Sequence, residues 1–223
     1  MRTICINRLM TLVAFLLLSV VSASAFEVDG INYSITNESL GYPSTNYTIT
    51  DVNTTFVVDD ICYRLIDNTT ENVVEVTYGK KYAGKINIPT TIIYGGTQYA
   101  VKGIGPRAFN KCSDLTGVSF PNTIEYIGKE AFQGCTALTT VDIPASVKSI
   151  DNYAFQGCSN ISNATFHEGL EIIGEFAFQN DGALKELILP STMKSIGRVA
   201  FQNCNTLYAV ELPDNIELVL GFK

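Results

Sequence analysis

Of the six cysteines in this chain, five lie beyond its apolar start: Cys62, Cys112, Cys135, Cys158 and Cys204. Thiols at fixed spacing could form a disulfide ladder or ligate a metal. Three of them follow one another at 23 residues, and Cys204 comes 46 after Cys158. That spacing argues against both chemistries. If each 23 residues close one coil, Cys158 and Cys204 stand two coils apart, about 10 Å at ordinary strand spacing and beyond disulfide reach. Neighbouring coils bring Cα atoms into range, yet side chains stacked in parallel have poor bridging geometry. No compact zinc motif has ligands 23 residues apart. A column of buried free thiols, acting as small apolar residues, is the favoured reading.

The other reactive groups are as sparse. His167 is the only histidine, so no H-E-x-x-H site exists. There is no G-x-S-x-G elbow. Gly103-Ile-Gly105-Pro-Arg-Ala108 imitates a dinucleotide loop, but Gly105 belongs to a repeated Ile-Gly pair and Pro106 is foreign to that fingerprint. Carboxylates such as Asp142 and Glu211 are scattered with nothing to pair them for acid–base work. The expectation is a protein without catalysis, cofactor or metal.

The elements that position these residues follow from the repeat itself. Ala-Phe recurs at 108-109, 131-132, 154-155, 177-178 and 200-201, always 23 residues on. Ile104, Ile127, Ile150, Ile173 and Ile196 precede it, and Asp181 stands in the one thiol slot without cysteine. A segment of the form Leu138-x-x-Val141-x-Ile143-Pro144 follows. Its counterparts start at Leu115, Ile161, Leu184 and Leu207. Proline closes four of the five, and His167 the fifth. L-x-x-L-x-L is the strand of a leucine-rich repeat. Val141 and Ile143 alternate on one face and point inward, while Thr140 and Asp142 point out. Pro144 lacks an N–H and marks the strand's end. Ile127, Ala131 and Phe132 are expected on a return side of short helical or 3₁₀ turns. One coil cannot bury its own apolar face, so coils must stack with their strands in parallel, about 4.8 Å apart.

The pattern Ile-Gly-x-x-Ala-Phe-x-x-Cys-x-x-Leu-x-x-Val-x-Ile-Pro resembles the BspA-like leucine-rich repeats. The match covers about half the chain. The resemblance implies a surface or secreted protein, with adhesion to host matrix proteins or other cells as the expected role. The expected fold is a leucine-rich-repeat solenoid of α/β class, one parallel strand and one short helical turn per coil, with an N-terminal all-β cap.

Three segments are expected. Residues 1–25 read as a secretory signal peptide: Arg2 and Arg8, an apolar run from Leu9 to Val21, then Ala23-Ser24-Ala25 as the cleavage site. That run is too short for a bilayer core, which needs about 20 residues. Residues 26–100 form the β-rich cap. There Ile86-Asn-Ile88-Pro89 resembles the end of a repeat strand, Gly95-Gly96 marks a hairpin turn, and Phe26–Tyr33 echoes Phe56–Tyr63 as a second edge strand. Residues 101–223 carry the repeats. Ile216 and Val219 are expected to keep the register of Ile124 and Ile127. The chain then stops before another Ala-Phe. The last turn caps itself, or a partner or second copy covers it, or the protein is shortened relative to longer relatives.

Removing Arg2 and Arg8 leaves 13 basic against 22 acidic residues, a net charge of −9. That excludes nucleic acid, which needs a basic face, and argues against an anionic membrane surface. Asn-x-Ser/Thr sequons occur at Asn37, Asn46, Asn53, Asn68, Asn160 and Asn163. They matter only if the source glycosylates asparagine. Two outward columns remain as a candidate face: Gly117, Thr140, Asn163, Glu186, Ala209, and Ser119, Asp142, Thr165, Ile188, Glu211. Solenoids bind partners on such surfaces. The expected partner is a protein or a glycan, with Ile188 and Tyr208 as the apolar anchor.

Overall fold

The computed structural model describes residues 25–28, 31–34, 55–66, 71–214 and 216–218. The expected signal peptide, apart from Ala25, lies outside the described residues. So do the sequons at Asn37, Asn46, Asn53 and Asn68, and the stretch from Val219 to Lys223. The chain divides into two units, residues 1–56 and 57–223. In the first, β1 (Ala25–Val28) and β2 (Ile31–Ser34) form an antiparallel hairpin with Phe26 opposite Tyr33.

β3 (Thr55–Val58) lies at the boundary and neighbours β4 (Ile61–Leu65). Asp59 and Asp60 turn between them at φ 46° and 68°, the paired positive values a tight hairpin turn requires. The echo between the two Val/Ile/Tyr segments is therefore a pair of hairpins. β4 runs antiparallel to β5 (Val73–Val76). β6 (Gly84–Asn87), β7 (Thr91–Tyr94) and β8 (Thr97–Ile104) follow, and β7 folds back on β8 at the predicted Gly95-Gly96 turn.

The repeat alternates two strand types. The longer ones are β9 (Leu115–Ser119), β11 (Thr140–Ile143), β13 (Asn163–Phe166), β15 (Glu186–Ile188) and β17 (Ala209–Glu211). Between them lie two-residue strands: β10 (Tyr126–Ile127), β12 (Ser149–Ile150), β14 (Ile172–Ile173), β16 (Ser195–Ile196) and β18 (Glu217–Leu218). The short strands form the continuous sheet. From β5 through β8 to β18 they pair in parallel, with Val76, Ile104, Ile127, Ile150, Ile173, Ile196 and Leu218 in one row.

Three expectations are corrected here. First, the return side is not helical: no helix occurs among the described residues. The hydrogen bonds show why. Around Phe109, the N–H groups of Ala108, Asn110 and Cys112 close local turns onto residues 105, 107 and 109. Those of Arg107, Phe109 and Lys111 instead donate to Lys129, Ala131 and Gln133 of the next coil, at 2.7–2.9 Å. Arg107 and Lys111 sit at φ 60° and 56°. A helix would use every N–H locally; here each alternate one reaches across coils, and left-handed residues interrupt any helical run. Ile127 is accordingly a strand residue. Second, the longer strands do not make one sheet. They pair as β6–β9, β11–β13 and β15–β17, with no ladder between β9 and β11 or between β13 and β15. Third, Leu218 rather than Val219 faces Ile196, so the last step is 22 residues, although Ile216 still bonds Pro213 as Ile124 bonds Pro121.

The core lies between the two strand rows. Tyr82, Phe109, Phe132, Phe155, Phe178 and Phe201 stack with ring centroids 4.9–5.3 Å apart. Tyr82 comes from the segment before the repeats and is tilted by 55°; the phenylalanines are near parallel. Beside them Asn110, Gln133, Gln156, Gln179 and Gln202 join side-chain amides in a ladder at 2.5–2.9 Å. Buried Glu75 pairs with Arg64 and accepts from Tyr126 Oη at 2.5 Å. That contact ties β5 to the first repeat.

Candidate functional site: the strand face

Pairing of β11 with β13 sets Thr140 beside Asn163 and Asp142 beside Thr165. Pairing of β15 with β17 sets Glu186 beside Ala209 and Ile188 beside Glu211. The alternation holds in β11, β13 and β15, where Val141, Ile143, Ala164, Phe166 and Leu187 are buried, while Thr140, Asp142, Asn163, Thr165, Glu186 and Ile188 are exposed; in β17 Glu211 is exposed and so is the inward-slot Val210. Ile188 is 52% and Tyr208 71% exposed. Tyr208 precedes β17 and donates its hydroxyl to Glu186 Oε1 at 2.7 Å. The Glu186 carboxylate, by accepting that proton, holds the phenol pKa above its usual value. β13 and β15 share no ladder, so the eight predicted residues belong to two separately paired strand sets in neighbouring coils.

Two residues of this face escaped the sequence reading. β6 pairs in parallel with β9, placing Lys85 opposite Gly117 and Asn87 opposite Ser119. The outward columns therefore begin one coil earlier, at Lys85 and Asn87. The signal was present in Lys85-Ile86-Asn87-Ile88-Pro89, where Lys85 and Asn87 alternate with the isoleucines and occupy these slots. A second omission was the role of His167. Its Nε2 lies 2.8 Å from Asp142 Oδ1, one coil back. Along β6, β9 and β11, the last two of which share no ladder, lies a groove of about 590 Å³. Lys85, Asn87, Ser119, Phe120, Asp142 and His167 are among its walls.

The cysteines offer no reactive site. All five are free and buried. Cys135, Cys158 and Cys204 donate Sγ–H to the carbonyls of Phe109, Phe132 and Phe178 at 3.0–3.2 Å. Burial, reinforced by Asp181, pushes the Cys204 thiol up to about 12, and burial raises Cys158 well above an ordinary thiol. Thiols so shifted are not nucleophiles near neutral pH. Asp181 fills the missing thiol slot fully buried, and neither carboxyl oxygen makes a well-formed hydrogen bond. Burial drives its pKa well above the carboxylate range, and the backbone of Cys158 and Gly157 opposes this only in part. Among the described residues no three His, Cys, Asp or Glu side chains converge to hold a metal.

These features define a parallel β-solenoid that presents its polar side chains on paired strands. The description "BspA type leucine rich repeat region" matches residues 97–219 in six copies, one more than the Ala-Phe pairs mark. The chain belongs to the BspA-type leucine-rich repeat family. It is 31% identical to a leucine-rich repeat protein of T. pallidum, over 68% of both chains, with a TM-score of 0.62. It is 28% identical to a leucine-rich cell surface protein of Faecalibacterium prausnitzii, with a TM-score of 0.63. That match covers 73% of this chain and 43% of the other. The pneumococcal vaccine antigen PcpA shares the fold at 21% identity, over 75% and 51% of the two chains, with a TM-score of 0.51. No curated protein matches the sequence. No helix among the described residues is long and apolar enough to cross a membrane.

Proposed function

We propose that the protein is a secreted or cell-surface binding module without catalytic activity, which engages a protein partner, of the host-matrix kind, through its strand face. One observation carries this reading: eight polar or apolar side chains, from Thr140 to Glu211, stand exposed on or beside paired strands. Side chains held by strands lose little freedom on binding, which favours affinity. The acidic balance of the chain excludes nucleic acid. The likeness to a cell surface protein supports the location, as does the leader-like start of the sequence. The segment before the repeats acts as a cap: Val76 continues the isoleucine row and Tyr82 covers Phe109. A glycan is the alternative occupant of the face.

The test is a binding screen of the mature chain on immobilised matrix proteins. Glu186→Lys and Tyr208→Ala should each weaken capture. Capture that survives every strand-face substitution overturns the site. A second reading, contact between copies at the last coil, is favoured by Val210. It occupies an inward slot yet is 44% exposed, against 4% and 0% for Val141 and Leu187. Sedimentation at rising concentration decides it: a strict monomer throughout removes that reading.

A further inference from the structure

We infer that the groove between β9 and β11 is a saccharide subsite that takes a neutral oligosaccharide. The inference rests on reading the strand face as a binding surface. The first support is the groove's origin. Along β9, which shares no ladder with β11, Val118 and Phe120 are only half-buried in slots where Val141 and Ile143 are buried. The cleft there measures about 590 Å³ and is lined by apolar Ile86, Val118 and Phe120 together with polar side chains, within the size range of small-ligand sites.

The second support is Gly117. It stands in an outward column filled by Lys85, Thr140, Asn163 and Glu186 in other coils. Its backbone is not in the left-handed region, and an added Cβ would touch only Lys85, at 3.5 Å or more. Gly117 directly follows a bulge, since Gly84 faces Leu115 and Lys85 faces Gly117 with Thr116 left over. A strand glycine marks a bulge or a close approach of another molecule, and this one leaves the cleft open where other coils carry a side chain.

The third support is the chemistry of the walls. Lys85 supplies one positive charge and Asp142 one negative, so the cleft is close to neutral in a chain of net charge −7. Asn87, Ser119 and Thr140 add an amide and two hydroxyls. His167 steadies Asp142 at 2.8 Å. Planar carboxylate and amide groups both suit pairs of adjacent hydroxyls, and hydroxyls donate and accept in turn. The Phe120 ring offers an apolar surface to sugar C–H groups. A protein segment is better served elsewhere, since the exposed anchors Ile188 and Tyr208 lie outside this cleft.

The experiment probes the mature chain with an array of neutral gluco-, manno-, galacto- and N-acetylglucosamine oligosaccharides. At least one class should be retained. Gly117→Phe, which fills the cleft, and Asp142→Asn should each weaken it by about tenfold or more, while Lys129→Ala, an exposed residue outside the cleft, leaves it unchanged. Matching circular dichroism and melting for each variant excludes misfolding, and Asp142→Asn changes only an exposed group. No retained saccharide, or wild-type binding by both groove variants, overturns the subsite. Capture of a matrix protein through Glu186 and Tyr208 with no sugar bound sinks the subsite and leaves the binding-face reading intact. Sugar bound with no protein captured supports the subsite and removes only the matrix-protein partner.

Discussion

His167 Nε2 lies 2.8 Å from Asp142 Oδ1, so the only histidine reaches back across one coil to a carboxylate of the strand face. Both side chains are well exposed, at 50% and 75%. Exposed pairs contribute about 0–1 kcal/mol. A double-mutant cycle with Asp142→Asn and His167→Gln, read by urea unfolding, should give a coupling within that range. A coupling of several kcal/mol would mean the pair holds the coil together rather than shaping the face.

The same coil carries a second departure. Where three others have Pro-x-Ser/Thr and the last has Pro213-Asp214-Asn215, this one has His167-Glu168-Gly169. Gly169 takes φ 125°, and an added Cβ would meet the Ala145 carbonyl oxygen at 2.0 Å. The turn has changed its path where proline no longer fixes it. Gly169→Ser alone should destabilise by about 1–3 kcal/mol. Joined to His167→Pro, it restores the sequence of the neighbouring turns and should recover much of that loss. Additive losses in the double variant would show that the two positions are unrelated.

Asp181 predicts an inverted pH response. Its folded pKa is raised above the ordinary carboxylate value, so the folded state binds the proton more tightly than the unfolded chain. The stability it allows is fully present below the unfolded pKa, about 4, and is lost as pH rises through the raised folded value. Scanning calorimetry from acid to mildly alkaline pH should show this decline. Asp181→Cys restores the repeat's own residue, which can donate to the Phe155 carbonyl as its neighbours donate in their coils. The decline should vanish, with a gain of about 1–3 kcal/mol where the carboxyl was an ill-satisfied buried group. An unchanged pH profile in that variant would count against the assignment.

The stacked rings set the fourth expectation. Phe155 lies between Phe132 and Phe178, 5.0 Å from each. Phe155→Ala removes one ring and two stacks, and should lose about 3–5 kcal/mol. The melting transition should fall accordingly. A loss below about 1 kcal/mol would mean that the column closes over the gap.

Much of this was legible because a 23-residue period fixes which side chains share a row. Val141, Ile143, Phe132 and Cys135 all fell inward as their spacing implied. What periodicity could not reveal was where the backbone N–H groups go. Ala131-Phe132 read as a helical turn because local spacing says nothing of alternate amides bonding the next coil. The break between β9 and β11 was equally hidden. Leu115–Pro121 and Leu138–Pro144 look alike as sequence, yet β9 pairs with β6 and β11 with β13. Lys85 and Asn87 were missed for another reason: an irregular insertion puts Pro89 and Pro121 32 residues apart, so the first coil falls out of the count. His167 looked like a structural exception until its contact with Asp142 appeared.

The isoleucine row, the ring column and the amide ladder share one property. Each coil meets its successor through the same contacts by which it meets its predecessor. Recombination between misaligned copies of such a gene, in frame and a whole number of 23-residue units out of step, deletes or duplicates coils without creating a foreign junction. Length is then free to drift among relatives while these three rows stay continuous. The irregular turn at Gly169 and the 22-residue final step are the places where that interchange would leave a scar. They are landmarks by which the ancestry of individual coils could be traced.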